Sequence, residues 1–125
     1  MLRQWVFFGL YFVLFYFSCQ RLVKSPVTSL IQVCIIAPVV EEILMRGFVL
    51  GGLKNTYGVV GALFISALFF SILHFNMVQT LSAFVCGIIL GLLYIKTNSI
   101  PCCIIAHCGY NLISYVTMIY PYINK

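Results

Sequence analysis

The sequence predicts an all-α fold, a polytopic transmembrane bundle of about five helical spans around an intramembrane polar cavity. Three observations point to it. Of the 125 residues, 63% are hydrophobic and 7% charged, and the mean hydropathy of +1.12 lies far outside the range of a soluble domain. The apolar residues fall into long runs separated by short polar breakers, the pattern of helices that cross a bilayer and turn outside it. The only two acidic residues, Glu41 and Glu42, sit side by side inside one of those runs, where a carboxylate requires a protein interior or a wet cavity.

The runs give the elements in order. Residues 5–19 form a first, aromatic-rich span ended by Gln20, Arg21 and Lys24. Arg3 ahead of it gives a superficial likeness to a signal peptide. The small-residue cleavage site is missing, since Tyr16 is bulky, so a retained helix is expected. The second span starts after Ser25-Pro26, where proline suits a first helical turn, and reaches about Leu53. It either crosses with tilt or breaks at Pro38, just before the glutamates. Lys54-Asn55-Thr56-Tyr57-Gly58 reads as a turn. Residues 59–75 make the third span, ending at Asn76, and residues 78–95 the fourth. Their very short connection makes them antiparallel neighbours. Lys96-Thr97-Asn98-Ser99 is the next loop, and Pro101 lies in the first turn of a fifth span, residues 100–120, that stops before Pro121.

A crossing takes about 20 residues, so residues 1–125 make a single transmembrane domain, a multi-pass protein of the cell membrane. Orientation is a tie: Arg3, Lys54 and Lys96 fall on one side, and Arg21, Lys24 and Lys125 on the other. The seven Lys and Arg residues are scattered singly, without the basic cluster that tracks a phosphate backbone, which argues against nucleic acid as a partner. The six cysteines lie within apolar runs without CxxC spacing and read as small packing residues.

An intramembrane carboxylate costs roughly 2.5 to 3.5 kcal/mol on insertion scales, so the two glutamates need partners. Glu42 and Arg46 stand at i, i+4 with the acid N-terminal to the base, the spacing that pairs side chains on one helical face. Glu41 points about 100° away around the helix. One arginine does not compensate two carboxylates, so Glu42 reads as structural and Glu41 as a candidate base. The two histidines, His74 and His107, lie in the third and fifth spans. A lone intramembrane histidine is usually a packing residue, but two of them beside an isolated pair of acids shift that balance toward chemistry. His107 and Asn111, again at i, i+4, present an imidazole and a carboxamide able to hold a water, a carbonyl oxygen or an ion. Phe70 and His74 share that spacing, which sets an aromatic shelf beside the imidazole. Neither Ser71, with no acid in its helix, nor Cys108, about 100° from its neighbour His107, makes a convincing nucleophile.

Glu41-Glu42-x-x-x-Arg46, Phe70-x-x-x-His74 and His107-x-x-x-Asn111, each on its own helix and in this order, resemble the motifs of the CPBP family of intramembrane proteases, the CAAX prenyl endopeptidase, Abi-like and bacteriocin-processing group. The resemblance covers about residues 30–115. It implies that Glu41 and His74 activate a water for attack on a peptide carbonyl, that His107 and Asn111 stabilise the oxyanion, and that Glu42 and Arg46 give structural support. It implies a membrane-associated peptide or protein as substrate: the leader of a bacteriocin or signalling peptide, or a lipid-modified C-terminus. The family has been described both as metal-dependent and as metal-free. No cofactor is favoured here; zinc is possible, with Glu41, His74 and His107 as its ligands. The cavity closes within one chain or in a homodimer. The alternative reading is a non-catalytic immunity or peptide-binding protein that uses the same polar cluster, and behind it a cation-coupled carrier titrating Glu41. On the catalytic reading, Glu41, His74, His107 and Asn111 converge.

Overall fold

The computed structural model describes residues 25–74 and 77–123. The expected first span, residues 5–19, lies outside the described residues, as does Asn76 at the expected end of the third. The described residues are all helical apart from turns.

The first helical leg begins with a capping box. Ser25 is extended (φ −141°, ψ 155°), its hydroxyl accepts from Thr28 N–H at 3.2 Å, and Thr28 Oγ1 accepts from Ser25 N–H at 3.2 Å, with Pro26 in the first turn. The leg then runs through α1 (Pro26–Ile31), a π-helical stretch (Gln32–Ile36), α2 (Ala37–Glu42) and a second π-helical stretch (Ile43–Leu50) into α3 (Gly51–Ile72). It does not break at Pro38. A proline inside a helix removes one hydrogen bond and crowds the preceding turn; here the wider π turn just before it accommodates the ring, with Ala37 N–H reaching five residues back to Gln32 O.

The turn expected over Lys54–Gly58 contracts to one residue. Helix continues through Tyr57, and the reversal is made by Gly58 at φ 72°, ψ 167°, a conformation closed to residues with a Cβ. Beyond it, α3 folds back on the leg it came from: Ser66 Oγ donates to Met45 O at 3.0 Å, and Leu50 packs with Ala62 and Leu63.

α4 (Met77–Thr97) lies against this hairpin. Gly87 and Gly91 allow the approach: a Cβ at Gly87 would sit 3.1 Å from Ala67 Cα, and one at Gly91 2.2 Å from Leu63 Cδ1. This is a small-xxx-small contact between membrane helices. Ala83 joins Met45 and Phe70 in a second apolar cluster. After Thr97, Asn98 turns the chain in the left-handed region (φ 50°). Ser99 then caps α5 (Ile100–Ile123), its Oγ accepting from Cys102 N–H at 3.4 Å. α5 continues through Pro121 instead of stopping before it.

α4 and the Ile100–Pro121 part of α5 are long and apolar enough to cross a membrane. Only 22% and 11% of these stretches are buried inside the bundle, where a soluble protein's core helix would be mostly enclosed. Two such helices qualify among the described residues. α5 runs antiparallel to the first leg, cross-linked to it by Tyr115 Oη donating to Pro26 O (3.0 Å), Asn111 Nδ2 to Val33 O (2.8 Å), and His107 Nδ1 to Glu42 Oε1 (2.9 Å).

Candidate active site

Glu42 closes α2, and Arg46 lies in the π-helical stretch that follows. Their i, i+4 spacing delivers the expected pair: Arg46 Nε donates to Glu42 Oε2 at 2.8 Å, with both side chains 0% exposed. A buried pair of this kind is held by further hydrogen bonds as much as by charge. Arg46 Nη1 accordingly donates to Ser66 Oγ at 3.3 Å across the hairpin, while Arg46 Nη2 has no acceptor among the described residues. Ser66 is a site residue that motif spacing does not reveal; its only signal is a hydroxyl in an apolar run.

The other carboxylate oxygen of Glu42 takes a partner that the sequence does not suggest. Glu42 Oε1 lies 2.9 Å from His107 Nδ1. A carboxylate held by arginine only accepts, so Nδ1 carries the hydrogen. The opposite ring nitrogen, Nε2, lies 3.7 Å from Glu41 Oε2. Glu42 therefore supports more than Arg46: it orients the imidazole that faces Glu41.

Phe70 joins the two histidines. Its ring centroid is 5.1 Å from that of His74 and 5.5 Å from that of His107, tilted at 59° and 73°, within the range of favourable edge contacts. The predicted shelf is present and serves both imidazoles. His74 stands in the turn after α3. Its Nδ1 is 3.0 Å from Phe70 O, and because a carbonyl only accepts, that nitrogen bears the hydrogen and Nε2 is left with its lone pair. Thr80 Oγ1 of α4 donates to His74 O, which holds the turn in place.

Glu41 is buried, with 5% of its surface exposed, and lies within electrostatic reach of both His107 and His74. Glu41, Glu42 and Arg46 together carry one negative charge in excess. One additional proton brings the buried cluster to neutrality, and Glu41 Oε2 and His107 Nε2 are the facing atoms placed to hold it.

Of the expected site residues, the structure brings Glu41, Glu42, Arg46, Phe70, His74 and His107 together. Asn111 is engaged elsewhere, with Nδ2 donating to Val33 O at 2.8 Å. The Ser71 hydroxyl turns back onto Leu68 O at 2.8 Å. Cys34, Cys86, Cys102, Cys103 and Cys108 are free thiols; Cys103 is fully buried with its Sγ 3.6 Å from Leu90 O, in keeping with packing roles.

Zinc needs three or four ligands converging at about 2.0 to 2.3 Å from the ion. Among the described residues no group of three His, Cys, Asp or Glu side chains is arranged to hold a metal. Glu41, His74 and His107 as placed do not fit a zinc site.

Comparison with curated proteins and with solved structures gives no match. The sequence profile of the Rce1-like family, described as type II CAAX prenyl endopeptidase Rce1-like, matches residues 23–113. That stretch contains every residue of the cluster from Glu41 to His107, as well as Asn111 and Val33. With its apolar spanning helices and this match over most of its length, the chain is a membrane protein that belongs to the Rce1-like type II CAAX prenyl endopeptidase (CPBP) family.

Proposed function

We propose that the protein is an intramembrane endopeptidase that hydrolyses a peptide bond in a membrane-associated peptide, with Glu41 as the general base. The observation that carries this reading is the asymmetry of the two carboxylates. Glu42 is held by Arg46 Nε at 2.8 Å and His107 Nδ1 at 2.9 Å, whereas Glu41 Oε2 lies 3.7 Å from His107 Nε2. That distance exceeds a direct hydrogen bond, and a water seated beside both atoms completes the link.

Glu41 takes a proton from this water as its oxygen attacks the peptide carbonyl carbon. The carbonyl electron pair moves onto oxygen, and the resulting oxyanion is met by the proton on His107 Nε2 and by the second Nδ2 hydrogen of Asn111, the one that Val33 O does not take. The intermediate then collapses, the C–N bond breaks, and the proton held by Glu41 passes to the leaving amine with His74 as relay. Glu42 and Arg46 keep the His107 ring in orientation throughout. A C-terminal peptide with an attached lipid is the substrate class that the family's description favours; a bacteriocin or signalling-peptide leader is the other class cut at a membrane.

The test compares membrane and secreted peptides in cells expressing the wild type or Glu41→Gln. A precursor that accumulates uncut in the variant, with protein abundance unchanged, supports the protease. Identical peptide profiles, with binding of a peptide retained by both proteins, identify an immunity or peptide-binding protein instead.

A further inference from the structure

Pro38 carries no N–H, and the consequence falls on Val33. In the π-helical stretch Gln32–Ile36 the bonds reach five residues back, as from Ala37 N–H to Gln32 O. The next bond of that ladder would run from residue 38 to Val33 O, and residue 38 is proline. The α-helical donor to Val33 O would be Ala37 N–H, which is already engaged with Gln32 O. Val33 O thus lacks a backbone donor in either register; Val33 is 42% exposed, and where that surface meets lipid, which offers no donor, an unpaired main-chain group is costly. Asn111 Nδ2, on α5, supplies the bond at 2.8 Å. Because a carbonyl only accepts, this contact also decides which way the carboxamide faces, with Nδ2 toward Val33 and Oδ1 away.

We infer that Pro38 is a positioning residue for Asn111: by leaving the Val33 carbonyl without a main-chain donor, it docks the Asn111 carboxamide against the helix that carries Glu41 and Glu42. The dock ties α5 to the catalytic leg and fixes the amide orientation. The second hydrogen on Nδ2 is then the one offered to a substrate oxygen, and this last step rests on the protease reading.

Wild type, Pro38→Ala, Asn111→Ala and the double variant form a cycle with two readouts, the thermal midpoint in detergent and the kcat and KM for a membrane-peptide substrate. Asn111→Ala lowers the midpoint by about 5 °C, because Val33 O loses its donor. Pro38→Ala restores a main-chain donor to Val33 O, so its midpoint does not fall. The released carboxamide nevertheless lowers kcat roughly tenfold with KM unchanged, a split that loss of stability alone would not produce. In the Pro38→Ala background, Asn111→Ala costs little further in midpoint. Should Asn111→Ala fail to accumulate, recovery of accumulation in the double variant is the same result. An equal midpoint loss in both backgrounds, no recovery, or full kcat in Pro38→Ala overturns the inference. If the wild type hydrolyses no peptide, the protease reading fails and the thermal arm still decides the docking.

Discussion

Glu42 Oε1 and His107 Nδ1 lie 2.9 Å apart although 65 residues of chain separate them. The contact changes how the paired glutamates divide their work. Sequence spacing makes Glu42 the partner of Arg46 alone and therefore purely structural. The fold shows it bridging Arg46 and His107, so the residue that stabilises the interior also presents the imidazole to Glu41.

The two glutamates should therefore fail differently. Glu42→Gln leaves the fully buried Arg46 without its counter-charge and should cost about 3–5 kcal/mol, lowering both abundance and the activity of whatever protein remains. Glu41→Gln removes a group that among the described residues has no hydrogen bond as short as those of Glu42, so abundance should stay near normal while turnover falls by about 10² or more. Abundance by quantitative blotting and turnover of purified protein separate the two; equal loss of abundance would mean that the carboxylates act as one structural unit.

Phe70 is 1% exposed and touches both histidine rings. Phe70→Ala should destabilise the protein by about 3–5 kcal/mol. Phe70→Leu keeps most of the volume and should lose much less stability, while turnover drops because neither imidazole has its edge contact. A Phe70→Leu protein with wild-type turnover would show that the ring fills space and orients nothing.

At Gly91 a Cβ would come within 2.2 Å of Leu63 Cδ1 and 3.5 Å of Arg46 Nη1. Gly91→Ala should cost about 1–3 kcal/mol through overpacking. The clash is with the end of one side chain, so the double variant Gly91→Ala, Leu63→Ala should show a smaller penalty than the sum of the singles. Strict additivity in thermal midpoints would mean that α4 shifts as a body instead.

Since Glu41, His74 and His107 are not arranged as a metal-holding group, activity of the purified protein should survive a strong chelator. Elemental analysis run in parallel gives the decisive contrast. About one equivalent of zinc, with activity lost on chelation and restored by zinc, would show that the three side chains rearrange around an ion.

Local relationships were legible in the chain. The helical character of residues 26–72, 77–97 and 100–123, the Ser25-Pro26 start and the Glu42–Arg46 pair all follow from neighbours within four positions, where hydropathy, capping and the 3.6-residue period act directly. Where the local rules compete, the chain alone leaves the outcome open or gives a different one: of the two readings at Pro38, a tilted crossing or a break, the structure takes the unbroken helix through a π turn, α5 runs through Pro121 instead of stopping before it, and the five-residue turn contracts to Gly58.

The sequence by itself determined which polar residues the protein has and which of them share a helical face, because in so apolar a chain the inventory is short and the helical period assigns the faces. Only the tertiary structure decided who meets whom across helices. It placed His107 on both glutamates, Phe70 between the two histidines, Ser66 beneath Arg46, and Asn111 on the Val33 carbonyl 78 residues away. The physical reason is that these partners depend on helix rotation and crossing. Those are set by close packing at Gly87 and Gly91 and by the one-residue reversal at Gly58, contacts that no spacing within a single helix encodes.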